Sequence, residues 1–247
     1  MILNAAAYQF TPIADPPVLA ERLHAWAEEA GLRGSALVAP EGINLFFAGS
    51  DAGVRGLFAR LHADPRFAGM RVKYSHSKAQ PFARLKVKVK PEIISFRREG
   101  ASPLARRAPT VSPATLSQWL AQGHDDAGKR VVMLDTRNAQ EAVYGSFAGA
   151  EILPIVKFTD LPAEVEARKS GWADATVVSF CTGGIRCEKS VLRMQADGYD
   201  NCYQLEGGIL GYFEKVGGRH YDGRCFVFDD RIALDPTLDP LIDDIGF

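Results

Sequence analysis

The stretch of the chain best equipped for chemistry is Ser179-Phe180-Cys181-Thr182-Gly183-Gly184-Ile185-Arg186-Cys187-Glu188-Lys189-Ser190. The apolar run before it reads as a buried strand that delivers Cys181 at its carboxyl end, where parallel α/β sheets build their sites. Gly183 and Gly184 let the backbone turn tightly, so successive N–H groups can point at one spot. Those dipoles, the start of the next helix and the Arg186 guanidinium all favour an anion, and a thiolate is one. Such settings lower a cysteine well below its free pKa of about 8.5. Cys181 is therefore the expected nucleophile and Arg186 its cationic partner, with Thr182, Gly183, Gly184 and Ile185 forming the pocket.

Loop length narrows the chemistry. Cys-x5-Arg loops cradle a whole phosphoryl group, whereas Cys181 and Arg186 stand in a Cys-x4-Arg loop. A ring one residue shorter suits a sulfur-sized or oxygen-sized adduct. Cys187 has two possible uses: resolving an oxidised or persulfidic Cys181 through a disulfide, or packing inward on the first helical turn. Cys202 and Cys225 read as small buried hydrophobes.

Two domains must position this loop. In the first, Ala5–Thr11 is an apolar run, and Asp15-Pro16 supplies an N-cap followed by proline at the first helical position. Leu19, Leu23, Trp26 and Ala30 share a helical face that Gly31 closes. Ser35–Ala39 and Ile43–Ala48 flank a hairpin signal, Pro40-Glu41-Gly42. Val54, Leu57, Phe58 and Leu61 mark a second helix ended by Asp64-Pro65, and Arg71–Ser75 reads as a strand. This order predicts a ferredoxin-like α+β sandwich over residues 1–99. Within it, Leu85–Lys90 alternates strictly, with Lys86, Lys88 and Lys90 on one strand face.

Residues 100–113 hold three prolines and few large apolar side chains, and read as a linker. From 114 to 221, strands at Val131–Leu134, Thr176–Phe180 and Asn201–Leu205 alternate with helices near Thr115–Gln122 and Glu188–Gln195. That alternation predicts an α/β domain with a central parallel sheet. Residues 222–247 read as a C-terminal extension, irregular from Leu234 onward.

Composition removes several classes. At 247 residues, 47% hydrophobic and 24% charged, the chain is an ordinary globular protein of one or two domains. Its four cysteines include no C-x-x-C pair, which argues against structural zinc. The start lacks a leader's basic flank and apolar core, and no apolar stretch nears the roughly 18 residues of a bilayer span. A cytoplasmic chain without membrane contact is expected. No Gly-x-Gly-x-x-Gly offers a flavin or nicotinamide site, and His62-Ala63-Asp64 ends a helix. His24, His76, His124 and His220 make no cluster, so no metal or organic cofactor is visible.

Leu134-Asp135-Thr136-Arg137-Asn138 with Glu141, running on to Gly145, Gly149 and Ala150, resembles the first signature of a rhodanese domain. Gly198-Tyr199 and Tyr203-Gln204-Leu205-Glu206-Gly207-Gly208 resemble its closing signature. Gly145-Ser146-Phe147 stands where many rhodaneses have Gly-His-Ile. The Cys181–Lys189 string narrows the match further, together with Ala7-Tyr8-Gln9-Phe10, Pro40-Glu41-Gly42-Ile43-Asn44, Lys86–Lys90 with Glu92-Ile93, and Cys225-Phe226-Val227-Phe228-Asp229. Nearly end to end, the chain resembles the tRNA uridine hydroxylases of the TrhO type. The resemblance implies a rhodanese catalytic domain at 114–221 and an RNA-docking domain at 1–99. It also implies oxygen-dependent conversion of uridine to 5-hydroxyuridine at tRNA wobble position 34. Cys181 would be the active-site residue, with Asp135, Arg137 and Arg186 shaping its pocket. Molecular oxygen would be co-substrate, and the tRNA anticodon stem-loop the partner.

The residues themselves leave two other readings: a sulfurtransferase forming a Cys181 persulfide, and a noncatalytic RNA-binding protein on a rhodanese scaffold. Intact Cys181 and Arg186 oppose the second. The net charge of -1 hides an asymmetry, since Arg66 to Arg107 carries twelve Lys/Arg against Glu92 and Glu99 alone. Lys86, Lys88 and Lys90, with Arg97 and Arg98, are candidate phosphate-binding residues. A solvated, aggregation-resistant edge is the competing use of those lysines. Tyr74, Phe82 and Phe96 are candidate base-stacking residues, with core packing as their competing use.

Overall fold

A computed structural model describes residues 1–241. Contacts within the chain divide it into two compact units. Residues 1–95, with 228–232 and 239–241, make the first; residues 96–227 with 233–238 make the second.

The first unit contains β1 (Ile2–Phe10), α1 (Pro16–Glu29), β2 (Arg33–Ala39), β3 (Gly42–Gly49), α2 (Asp51–His62), β4 (Val72–Ser77) and β5 (Leu85–Val89). Its sheet runs in the order β4-β1-β3-β2-β5, antiparallel except for β5, which lies parallel to β2 at an edge. The first four strands and two helices make the ferredoxin-like arrangement. Alternation along the strands sends Leu3, Ala5, Ala7, Ile43, Leu45 and Phe47 to one face, where Leu23, Ala27, Val54 and Phe58 of the helices meet them. Burying each large side chain there contributes roughly 1.5–3 kcal/mol. Ser50 caps α2, its Oγ accepting from the Gly53 N–H at 3.1 Å. Asp15 precedes α1 but makes no side-chain cap; its carboxylate lies 3.5 Å from Arg66 instead.

The second unit contains β6 (Thr110–Val111), α3 (Pro113–Gln122), β7 (Val131–Asp135), α4 (Ala139–Ala142), β8 (Gly145–Phe147), β9 (Glu151–Ile152), α5 (Leu161–Arg168), β10 (Thr176–Phe180), α6 (Ile185–Ala196), β11 (Cys202–Leu205), α7 (Gly208–Val216), β12 (Tyr221–Gly223), β13 (Cys225–Phe226) and β14 (Ala233–Leu234). Its central sheet, in the order β6-β11-β10-β7-β9, is parallel throughout. Val177, Val178 and Phe180 are buried because β10 lies at the middle of that sheet. Phe147 locks β8 to the core by edge-to-face contacts with Phe180, Tyr212 and Tyr221, at centroid distances of 4.9, 4.9 and 5.2 Å.

The expected linker is more ordered than its prolines suggest. Thr110–Val111 pairs with β11 as an edge strand, and the Gln204 N–H donates to the Pro109 carbonyl. Phe96 is buried and stacked on Phe158 at 4.7 Å, so the second unit already begins there. The expected 222–247 extension is divided between the units, and Ala233–Leu234 pairs with β13. Its last six positions lie outside the described residues. Among the described residues, no helix is long and apolar enough to cross a membrane.

Candidate active site

Cys181 stands one residue past β10, and Ile185 opens α6. Gly184 occupies the α6 N-cap at φ +103°, a conformation that favours glycine, and its N–H donates to Cys181 Sγ at 3.1 Å. The loop is held from outside by α7. Ile209 N–H donates to the Cys181 carbonyl at 2.9 Å, and Leu210 N–H to the Thr182 carbonyl at 3.1 Å. In a trans peptide the carbonyl and the following N–H point oppositely. Pinning those two carbonyls on α7 therefore turns the N–H groups of Thr182 and Gly183 the other way. The approach is so close that a Cβ on Gly208 would lie 2.4 Å from the Cys181 carbonyl oxygen.

Arg186 is buried and forms a bidentate pair with Glu141, at 2.6 and 2.8 Å. Glu141 is fixed in turn by α4, where its carboxylate also accepts the Asn138 N–H at 2.9 Å. Burial is the largest influence on Arg186 and opposes its charge, but the Glu141 hydrogen bonds together with the negative charges of Cys181 and Glu141 overcome it and raise its pKa. Cys187 faces Cys181 from the first turn of α6, and Thr136 Oγ1 lies 3.4 Å from Cys187 Sγ.

Burial is the largest influence on the Cys181 thiol, and it resists ionisation. The Cys187 S–H, the Arg186 charge and the main-chain N–H groups of Arg186 and Gly184 together overcome it, bringing the pKa down to about 5. Cys187 moves oppositely, pushed well above its ordinary range by burial and by the neighbouring thiolate. The pair thus shares one proton, held by Cys187. Burial also pushes Cys202 and Cys225 up to about 12, leaving both protonated.

The pocket residues expected from sequence separate into two groups. Thr182, Gly183, Gly184 and Ile185 form the loop between Cys181 and Arg186, of which Gly184 gives its N–H to the sulfur; Cys181 exposes 0% of its surface, and Thr182, Gly183 and Ile185 are half-buried. Asp135 and Arg137 instead form their own buried pair, with bonds of 2.9 and 2.6 Å. Arg137 also donates to the Gly145 carbonyl at 2.7 Å, and Ser146 Oγ donates to Asp135 at 2.9 Å. That network braces β7 against β8. Breaking such a pair costs about 3–5 kcal/mol because one charge is left uncompensated. Glu141 and Thr136 belong to the first signature, but their sequence context assigns neither a role at the site. Glu141 stands at the third helical position after Asn138, a capping spacing that could have flagged it.

Lys86, Lys88 and Lys90 are exposed along and just beyond β5 in the first unit. Arg97 and Arg98, also exposed, belong to the second unit. Of the candidate stacking residues, Phe96 is in the core, and Tyr74 faces α2, 6.4 Å from Phe58 and with Arg55 over its ring. Phe82 is half-buried. His62 Nε2 lies 3.0 Å from the Met70 carbonyl, in keeping with a helix-end role.

Comparison with known proteins follows the same division. Residues 2–93 match the UPF0176 acylphosphatase like domain, and residues 113–215 the rhodanese-like domain. A protein named tRNA uridine(34) hydroxylase from Xanthomonas euvesicatoria pv. vesicatoria is 65% identical over 243 residues, covering 98% of each chain. One of the same name from Xylella fastidiosa is 60% identical, covering 98% of this chain and 95% of its own. Among solved structures, the rhodanese-like domain of an Anabaena protein aligns at 18% identity with a TM-score of 0.38, covering 47% of this chain and 79% of that one. Acylphosphatase from Bacillus subtilis aligns at 11% identity with a TM-score of 0.30, covering 36% and 99%.

Proposed function

The chain belongs to the tRNA uridine(34) hydroxylase family, and from that premise we propose that it converts uridine 34 of tRNA to 5-hydroxyuridine in the cytoplasm, with dioxygen as co-substrate. What supports the chemistry is the setting of Cys181, a buried sulfur at the start of α6 that accepts the Gly184 N–H at 3.1 Å beside Arg186, an environment that favours its thiolate.

In the proposed reaction the Cys181 thiolate adds to C6 of the uracil ring, giving C5 enolate character. C5 then bonds to one atom of dioxygen. The O–O bond breaks with two electrons and two protons from an external thiol reductant, two thiols becoming a disulfide, and the second oxygen atom leaves as water. Loss of the C5 proton and expulsion of Cys181 from C6 restore the ring, now bearing a C5 hydroxyl. The N–H collar that ionises Cys181 also stabilises it as the leaving group. Glu141 acts as a positioning residue, holding Arg186 where its charge reaches the sulfur. Cys187 supplies a donor, and it stands where an oxidised Cys181 can be returned through a disulfide. Because Cys181 is fully buried, the base reaches it only when the residues covering it move aside.

The same loop would hold a persulfide, but relatives at 60–65% identity bear the hydroxylase name, which favours hydroxylation over sulfur transfer. Profiling tRNA nucleosides from cells lacking the protein, complemented with wild type or Cys181→Ser, tests the choice. Restoration of 5-hydroxyuridine by wild type alone supports the proposal. Restoration of a thiolated base instead would replace it with sulfur transfer.

A further inference from the structure

We propose that the helix-free face of the first unit's sheet is a stacking platform for unpaired RNA bases, centred on Phe46 with Tyr8 beside it. The inference rests on the tRNA reading above and assigns it a docking surface. Because Leu3, Ala5, Ala7, Ile43, Leu45 and Phe47 point to the helices, their alternating neighbours point away. The register places them in rows. Lys73 lies opposite Ala6, Ala6 opposite Phe46, Phe46 opposite Ser35, and Ser35 beside Lys86. The next row runs Tyr8, Asn44, Leu37, Lys88. An aromatic ring therefore sits on a central strand with small neighbours on both sides and a lysine at each edge. Tyr8, diagonal to it on the adjacent strand, is about 7–8 Å away by sheet geometry.

Exposure shows that this face is open only in its middle. Phe46 is 37% exposed despite two strands on either side of it. Asn4 at 2% and Ala48 at 0%, on the same face, are covered. At that end Arg231 donates to Ser75 Oγ at 2.7 Å and Gln80 to the Ala48 carbonyl at 3.0 Å. At the other end Asn44 donates to the Ile93 carbonyl at 3.3 Å. What remains is a bounded window containing an aromatic plane.

Charge selects the occupant. The strand residues facing this way include Lys73, Lys86 and Lys88 and no carboxylate. Each edge lysine is two strand spacings from Phe46, about 10 Å, within reach of the phosphates flanking a stacked base. Stacking on an aromatic plane tolerates any base, and phosphate contacts add affinity without sequence preference. The partner that fits is a short unpaired RNA segment, which in a tRNA substrate means loop nucleotides.

The test compares full-length wild type, Phe46→Ala and Phe46→Trp for binding of an unmodified anticodon stem-loop RNA, with 5-hydroxyuridine formation read alongside. Phe46→Ala should weaken binding by about tenfold, Phe46→Trp should hold it, and binding of duplex RNA of equal length should not change. Phe46 is exposed, so Phe46→Ala should fold, and Lys86→Gln provides a second variant that should reduce the salt dependence of binding. Unchanged stem-loop affinity in Phe46→Ala overturns the platform even when uridine 34 is hydroxylated. A Phe46-dependent self-association with unchanged RNA affinity would assign the face to a second copy of the chain, also overturning it. Phe46-dependent binding without any 5-hydroxyuridine would leave the platform standing and overturn the hydroxylase reading.

Discussion

Replacing Cys187 by alanine isolates the least familiar donor at the active site. In the folded protein its S–H points at the Cys181 sulfur, and the first thiol ionises at about 5. A hydrogen bond to a charged group stabilises it by roughly 1.5–3 kcal/mol, and a thiol donor belongs at the weak end. A tenfold change in acid dissociation is about 1.4 kcal/mol, so Cys187→Ala should move Cys181 from about 5 to about 6. Cys187→Ser keeps a donor and should stay close to wild type. Thiolate ultraviolet absorbance measures the midpoint without needing a reagent to enter the covered site. Cys202 and Cys225, pushed up to about 12, remain silent over that range. An identical midpoint in wild type and Cys187→Ala would refute the role of this donor. A wild-type midpoint near 8.5 would refute the thiolate itself. The sign for stability follows. Because folding lowers this pKa, Cys181 contributes stability at a pH above its ordinary range and loses it as pH falls through about 5. Cys187, shifted upward, opposes folding only at pH above its own ordinary range. Cys181→Ala should therefore flatten the rise in thermal midpoint between those limits.

Glu141→Gln leaves Arg186 buried with a neutral partner, so a loss of about 3–5 kcal/mol in denaturant unfolding is expected, together with a large fall in 5-hydroxyuridine formation. Retention of both would remove Glu141 as the positioning residue. Gly208→Ala forces a Cβ against the Cys181 carbonyl oxygen at 2.4 Å, backbone that cannot swing aside. Expected are a lower melting temperature and a raised Cys181 midpoint, and an unaltered titration would show that the α7 contact does not shape the loop.

The elements were legible where one local signal sufficed. The Pro16 start and Gly31 stop bracket α1, and the apolar run into Cys181 marks β10 and the loop. What was hidden depends on partners distant in sequence. The Arg186–Glu141 pair joins residues 45 apart, and nothing local to either announces the other. Asp135 and Arg137, within the first signature, pair with each other, and Gly145 and Ser146 complete their hydrogen bonds. Tyr74 and Phe96 are aromatic candidates by sequence but lie on inward faces, whereas Phe46 and Tyr8, which the sequence places only within a strand and a family motif, lie on the helix-free face. Which face of a strand is solvated depends on where the helices pack, and alternation alone gives two faces without saying which is covered.

The Gly208 contact also constrains what this scaffold can become. Because α7 bears directly on the carbonyl side of the loop, the ring cannot be widened outward at that point. A residue inserted between Cys181 and Arg186 would have to bulge away from α7 or displace it. A ring widened on that side would demand a coordinated retreat of α7, so the size of the space the loop encloses is tied to a separate stretch of chain.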